Sequence, residues 1–196
     1  MAQRAAAVVK FSAATPWMRQ SDLLDGGWPV TTECHTMPAP NRRAFTIRED
    51  DLSREATRHL IRLHLQQMYA NSPPDCVYAL DLSGMKRPDV TVWSAWSGDA
   101  IAGIGALKDL GEHCGELKSM RTHPQFLRRG VASALLEHII RVARTRGMTR
   151  ISLETGTGPA FEAALSLYRR RGFVDGNAFA QYQPSTFNQF LHLSLW

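Results

Sequence analysis

Cysteine is scarce in this chain: Cys34, Cys76 and Cys114 are the three among 196 residues. The number is odd, the spacing is wide and no CxxC occurs, which argues against a disulfide framework or a thiolate zinc site and fits a reducing, cytoplasmic setting. Long apolar runs are missing too. None approaches the ~20 residues of a membrane span, so no membrane partner is expected. The seven histidines form no HExxH, and no metal is expected. His59 and His64 lie on an expected helix at a spacing that keeps them off one face, and they read as ordinary helix residues. Lysine is absent from residues 121–150, which carry seven arginines and one acid, Glu137. That window alone is +6, more than the whole-chain net of +5. Basic charge of this kind suits an anionic partner without choosing among nucleic acid, membrane and small phosphates. The arginines lack interleaved aromatics and no nucleic-acid module signature occurs, so nucleic acid is not the expected partner.

Apolar residues make up 44% of the chain, enough for a substantial core, and the length suits one domain with or without a tail. Residues 1–44 differ from the rest. They mix Ala, Thr, Pro, Gly and Trp without periodicity, and five basic residues outnumber three acids. They read as an N-terminal extension, disordered or arising from a start site really at Met37, more than as a transit peptide. Residues 45–196 read as the domain proper.

Periodicity and punctuation place its elements. Ala44–Arg48 reads as a short strand. Asp50, Asp51 and Ser53 offer caps to a helix reaching about Ala70, with Leu52, Ala56, Leu60, Leu63 and Met68 as its apolar face. The run NSPPD stops it. After an irregular piece, VTVWSAW and Ala100–Lys108 form a hairpin across a tight SGD turn, and Gly115–Thr122 is a third strand. A helix from about Arg128 to Arg146 presents Leu135, Leu136, Ile139, Val142 and Ala143 and ends at Gly147. Then come the strand MTRISLET, a helix over Pro159–Arg171, an extended piece from Phe173 and a last strand, Phe187–Leu195. Strand–helix–strand units are parallel and right-handed. The class is therefore α/β with a mixed sheet.

The stretch HPQFLRRGVASALL, residues 123–136, carries the chemistry. A helix start exposes unpaired N–H groups and a partial positive charge, so an anion binds there when nothing blocks its approach. Gly130, Ala132 and Ser133 are small, which opens the backbone from Leu127 through Val131 to Ser133. Arg128 and Arg129 add charge-assisted bonds. The plain alternative is that both arginines are solvated first-turn residues. The pattern is neither GxGxxG nor GxxxxGK[ST], which disfavours a Rossmann site or a P-loop.

RRGVASALL, followed by MTRISLET and ALSLYRRRGF, resembles the Gcn5-related N-acetyltransferase (GNAT) superfamily. The family's phosphate loop, Q/R-x-x-G-x-G/A, falls on Leu127–Ala132; Gly130 and Ala132 match and Leu127 departs. LYRRRGF is similar to the family's LY-x-x-x-GF, and GELKSMRTHP to its central strand. The resemblance covers residues 115–174 closely and, by element order, about 45–196.

The resemblance implies a splayed parallel strand pair, Gly115–Thr122 with Thr149–Thr155, that takes acetyl-CoA as co-substrate. It implies that backbone around Ser119, Met120, Arg121 and Thr122 holds the pantetheine arm and polarises the thioester. The acetyl group would pass directly to a primary amine of a small-molecule acceptor in a ternary complex. Tyr168 would protonate the leaving thiolate or hydrogen-bond its sulfur. Glu116 is the first choice of base and Glu154 the alternative. For Cys114 as a nucleophile no histidine is locally arranged to activate it, and direct transfer needs none. Trp93, Trp96, Tyr69, Phe179, Tyr182 and Phe187, with Asn188 and Gln189, are candidates for the acceptor wall. A homodimer and a non-catalytic acyl-CoA-binding module stay open as alternatives.

Overall fold

The computed structural model describes residues 45–73 and 76–196. The extension 1–44, with Met37 and Cys34, lies outside the described residues, as do Pro74 and Asp75 of the NSPPD stop.

Seven strands form one sheet in the order β1-β2-β3-β4-β5-β7-β6. Strands β1 (Thr46–Glu49), β2 (Val90–Ser97), β3 (Ala100–Gly111) and β4 (Cys114–Thr122) make an antiparallel meander. Helix α3 (Val131–Thr145) then crosses over to β5 (Arg150–Gly156), which is parallel to β4. Helix α4 (Glu162–Arg170) leads to β6 (Val174–Gly176), and β7 (Asn188–Ser194) slots antiparallel between β5 and β6. The expected mixed α/β class and order of elements are present.

Alternation along the strands divides the core. Leu117, Ile151 and Leu153 pack with α3 and with Leu165 and Tyr168 of α4, while Ile104 and Ala106 pack with Leu60 and Ile61 of α1 (Glu55–Asn71) and Met85 of α2 (Leu82–Met85). Helix α3 sits very close to β3: a Cβ added at Gly103 would come within 2.7 Å of Val131 Cγ1. Only a bare Cα allows that approach.

Three expectations need correction. Helix α1 begins at Glu55 with no side-chain cap, because the acids before it have other partners. The Asp50 carboxylate accepts from the Leu52 amide, from Thr57 Oγ1 at 2.9 Å and from Ser94 Oγ at 2.6 Å, tying the helix start to β2. The buried face of α1 is Thr57, Leu60, Ile61 and His64, so His64, read as an ordinary helix residue, is on the helix's inner face. Helix α3 starts three residues later than expected: Pro124–Phe126 is a short 3-10 turn, and Arg128 and Arg129 lie in the loop ahead of the N-cap, Gly130. The irregular piece before β2 contains α2, capped by the Asp81 carboxylate accepting from the Gly84 amide at 2.7 Å.

Candidate active site

The site is made by a divergence. Strands β4 and β5 pair only through Cys114–Arg150, Gly115–Ile151 and Glu116–Ser152. Beyond these they part, and the backbone of β4 that would have met β5 faces a cleft of about 220 Å³. A bulge reinforces the parting. Lys118 pairs with Ala106 but Arg121 with Ile104, so β4 carries one residue more than β3 over that span. Ser119 sits there at φ 53°, in left-handed backbone that costs a non-glycine residue about 1–2 kcal/mol. Bulges of this kind re-aim side chains beside functional sites.

Register assigns the faces. Glu116 lies opposite Ser152, so Glu116, Lys118 and, past the bulge, Arg121 share one face with Ser152 and Glu154. That face looks toward α1. Leu117 and Leu153 look the other way, toward α4 and Tyr168. The cleft is therefore lined from both sides: by His64, Lys118, Arg121 and Glu154 on one, and by Phe161 and Tyr168 on the other.

The titratable groups differ in their circumstances. Glu116 is buried and engaged at one oxygen: its Oε1 accepts from Lys118 Nζ at 2.9 Å and from the Tyr182 hydroxyl, while Lys118 also reaches that hydroxyl at 2.6 Å. Burial, followed by the negative charge of Glu116, pushes the Tyr182 hydroxyl well above its ordinary value. Glu154 is only partly buried and lines the cleft. Desolvation raises its carboxyl to about 7; Lys118 pulls it down and Glu116 pushes it up by lesser amounts. Burial pushes Tyr168 upward, so the phenol stays protonated at neutral pH. His64 is lowered to about 4, by burial first and then by the charge of Arg121, so its imidazole is neutral.

The start of α3 is bare. Gly130 takes φ 86°, no side chain caps the helix, and the first intrahelical bond is Ala134 N–H to Gly130 O at 3.0 Å. The N–H groups of Val131, Ala132 and Ser133 precede it and have no intrahelical acceptor. A Cβ built on Gly130 meets nothing within 4 Å, so glycine is needed there for its backbone conformation while the space in front stays open. Arg128 is itself at φ 59°, and the Arg129 guanidinium lies 5.4 Å from the Phe126 ring centroid. A further cation was missed by sequence reasoning: Arg171, from the end of α4, donates to Ser133 Oγ and pairs with Glu137.

Of the sequence-predicted residues, Ser119, Met120, Arg121 and Tyr168 meet in the cleft lining, with Glu154. Thr122 ends β4, and Leu127, Arg128, Arg129, Gly130, Val131, Ala132 and Ser133 form the loop and first turn that follow; these are not among the lining residues, and neither is Glu116. The predicted aromatic wall is mostly elsewhere. Trp93 and Trp96 are core, Phe179 and Tyr182 pack with Phe190, and Tyr69 is exposed. Phe187 packs edge-to-face against Phe161, beside the cleft. Asn188 and Gln189 brace backbone, the first at Ser185 and Gln183 and the second at Gly156 O. Cys114 is at the closed end of the strand pair. Among the described residues no helix is long and apolar enough to cross a membrane, and no cluster of three metal-ligating side chains occurs.

One parallel pair splayed open in a mixed sheet, a bulged inner strand beside the gap and an uncapped helix start after it define an acyl-transfer enzyme of the α/β class. The chain belongs to the acetyltransferase (GNAT) family, whose model matches residues 55–173, and it is an N-acetyltransferase by that membership. It is 49% identical over 151 residues to the uncharacterized N-acetyltransferase YedL of Escherichia coli, covering 77% of this chain and 95% of that one. It is 47% identical over 136 residues to the uncharacterized N-acetyltransferase YsnE of Bacillus subtilis, covering 69% and 90%. A Bacillus subtilis acetyltransferase solved in complex with CoA shares the fold at a TM-score of 0.60 and 19% identity, over 78% of this chain and all of that one.

Proposed function

We propose that this chain moves an acetyl group from acetyl-CoA to a primary amine of a small molecule, by direct transfer in a ternary complex. The observation that carries the reading is the pairing of Glu154 and Tyr168 across one cleft, a carboxyl near 7 on one face of the splay and a protonated phenol on the other.

The residues fit the coenzyme. Three unpaired N–H groups, the open approach at Gly130 and the cations Arg128 and Arg129 suit a diphosphate. The unpaired edge of β4 around Ser119, Met120 and Thr122 suits an extended amide-bearing arm, and Ser119 Oγ is buried without a hydrogen-bond partner among the described residues. When bound, acetyl-CoA supplies the thioester carbonyl that the acceptor nitrogen attacks.

Glu154, rather than Glu116, takes the proton from the attacking amine. It lines the cleft and half-ionises near neutral pH, where a base works best. Glu116 is buried off the cleft lining, and its Oε1 is committed to Lys118 and Tyr182, which it serves to hold. Tyr168 gives its proton to the departing sulfur as the carbon–sulfur bond breaks. The cleft volume of about 220 Å³ suits a small acceptor.

The test is an acetyl-transfer screen of the purified protein against small amines, read by free-thiol release. Saturation in both substrates is expected. Binding of CoA thioesters without transfer to any acceptor would leave a non-catalytic acyl-CoA module, and no calorimetric heat with any CoA thioester would end the proposal.

A further inference from the structure

Arg121 stands at the open end of β4 with no countercharge paired to it among the described residues. Its side chain is half-buried, and Nε is shielded from solvent without a hydrogen-bond partner among the described residues. It forms none of the ion pairs in the described residues, whereas the neighbouring cation, Lys118, is bound to Glu116 at 2.9 Å. Glu154 is the one acid among the lining residues, and Arg121 does not pair with it. The bulge at Ser119 turns Arg121 onto the α1 face, the same face as Glu154 and opposite Tyr168. His64, close enough to feel the charge of Arg121, is neutral and cannot supply the missing charge.

A guanidinium that loses water without gaining an acceptor is costly, and a bidentate carboxylate restores what it lost. A single uncommitted cation matches a monoanion. A phosphate dianion would call for a second free cation, and Lys118 is not free.

Resting on the proposed reading of this cleft, we propose that the acceptor is an amino-carboxylate, an amino acid or a short peptide, whose carboxylate is held by Arg121 while its amine faces Glu154. Arg121 then belongs to acceptor selection rather than to the coenzyme, and the charge pattern along the cleft, cation at one end and base at the other, is the complement of a zwitterion.

Matched pairs test this. Free amino acids and dipeptides are compared with their C-terminal amides as acceptors, for the wild-type protein and for Arg121→Gln and Arg121→Lys. In the wild type, kcat/KM should favour the carboxylate over its amide by at least about tenfold, the value of one charge-assisted bond. Arg121→Gln should erase that preference, Arg121→Lys should restore part of it, and the CoA dissociation constant should stay within about twofold in both, since a misfolded or coenzyme-deficient protein would change it. Amides accepted as well as acids, a preference surviving in Arg121→Gln, or a panel silent while CoA still binds would overturn the inference. Loss of CoA binding in the wild type would instead strike the proposed function itself.

Discussion

Two carboxylates on one face of the sheet meet opposite fates. Glu116 lies where β4 and β5 are still joined, opposite Ser152; Glu154 lies two residues beyond that last pair. At the closed end the polar groups find partners within the protein. Glu116 Oε1 accepts from Tyr182 and from Lys118, which reaches back from the cleft, and Ser152 meets His192 Nδ1 at 2.8 Å. A Cβ on Gly115 would come within 2.8 Å of Met148 Sδ, so the strands there have no slack. At the open end Ser119 Oγ and Arg121 Nε go without partners among the described residues, and Glu154 is desolvated. The same sheet thus completes its own polar groups where the strands pair and leaves them incomplete where they part. Incomplete polar groups gathered in one cleft are what a ligand completes.

The contrast is broken most severely at the helix start. Gly130→Glu should lower CoA affinity at least about a hundredfold by calorimetry. It sets a negative charge where the N–H groups and dipole favour an anion, and it forces a side chain into φ 86°. Gly130→Ala isolates the second effect. Left-handed backbone costs about 1–2 kcal/mol, so Gly130→Ala should bind CoA with a loss of about tenfold or less. Equal losses in the two variants would show that conformation, not anion binding, is what Gly130 serves.

Tyr168→Phe comes next. A proton donor positioned in a transition state contributes about 10²–10⁴-fold, so kcat should fall about a hundredfold or more in stopped assays of thiol release, with CoA affinity unchanged. Unaltered turnover would reduce Tyr168 to the core aromatic that its contacts with Phe173 also describe.

The two carboxylates are then separated directly. Glu154→Gln should lower kcat about tenfold or more and remove from the pH–rate profile the rising limb near 7. Glu116→Gln should keep that limb but lose stability by a few kcal/mol in urea melts, because it leaves Lys118 buried without its countercharge. The opposite outcome would return the base to Glu116.

How much of this was legible in the sequence follows from the range of the forces. The helix start at Gly130 and the LYRRRGF turn that presents Tyr168 are local, fixed by glycine conformations and helix punctuation, and both were readable. His64 was readable in principle: it falls three and four residues after Ile61 and Leu60 on the buried face of α1. Spacing measured to His59 alone hid it. The fate of Glu116 was not readable, since it is decided by Tyr182, 66 residues away. Nor was the role of Arg121, because the bulge that turns it onto the α1 face depends on register with β3, not on residue type. Arg171 reaches Ser133 across 38 residues for the same reason.

The smallest effect is a matter of stability. Glu154 has its folded pKa raised, from 4.5 to about 7. Folding therefore favours the protonated carboxyl. Below about pH 4.5 the folded and unfolded chains both hold the proton, and the buried neutral group is tolerated. Between about 4.5 and 7 the unfolded chain gives up its proton while the folded chain keeps it, so stability falls as pH rises; above 7 the deficit is constant. A shift of that size corresponds to roughly 3 kcal/mol. Glu154→Gln, which carries no charge at any pH, should match the wild type in urea denaturation at pH 4 and exceed it by about that amount at pH 8. A carboxylate that stabilised the fold would produce the reverse slope. Lower activity together with higher stability in one variant would identify Glu154 as a group held at the fold's expense, and a pH-independent difference would remove it from the site.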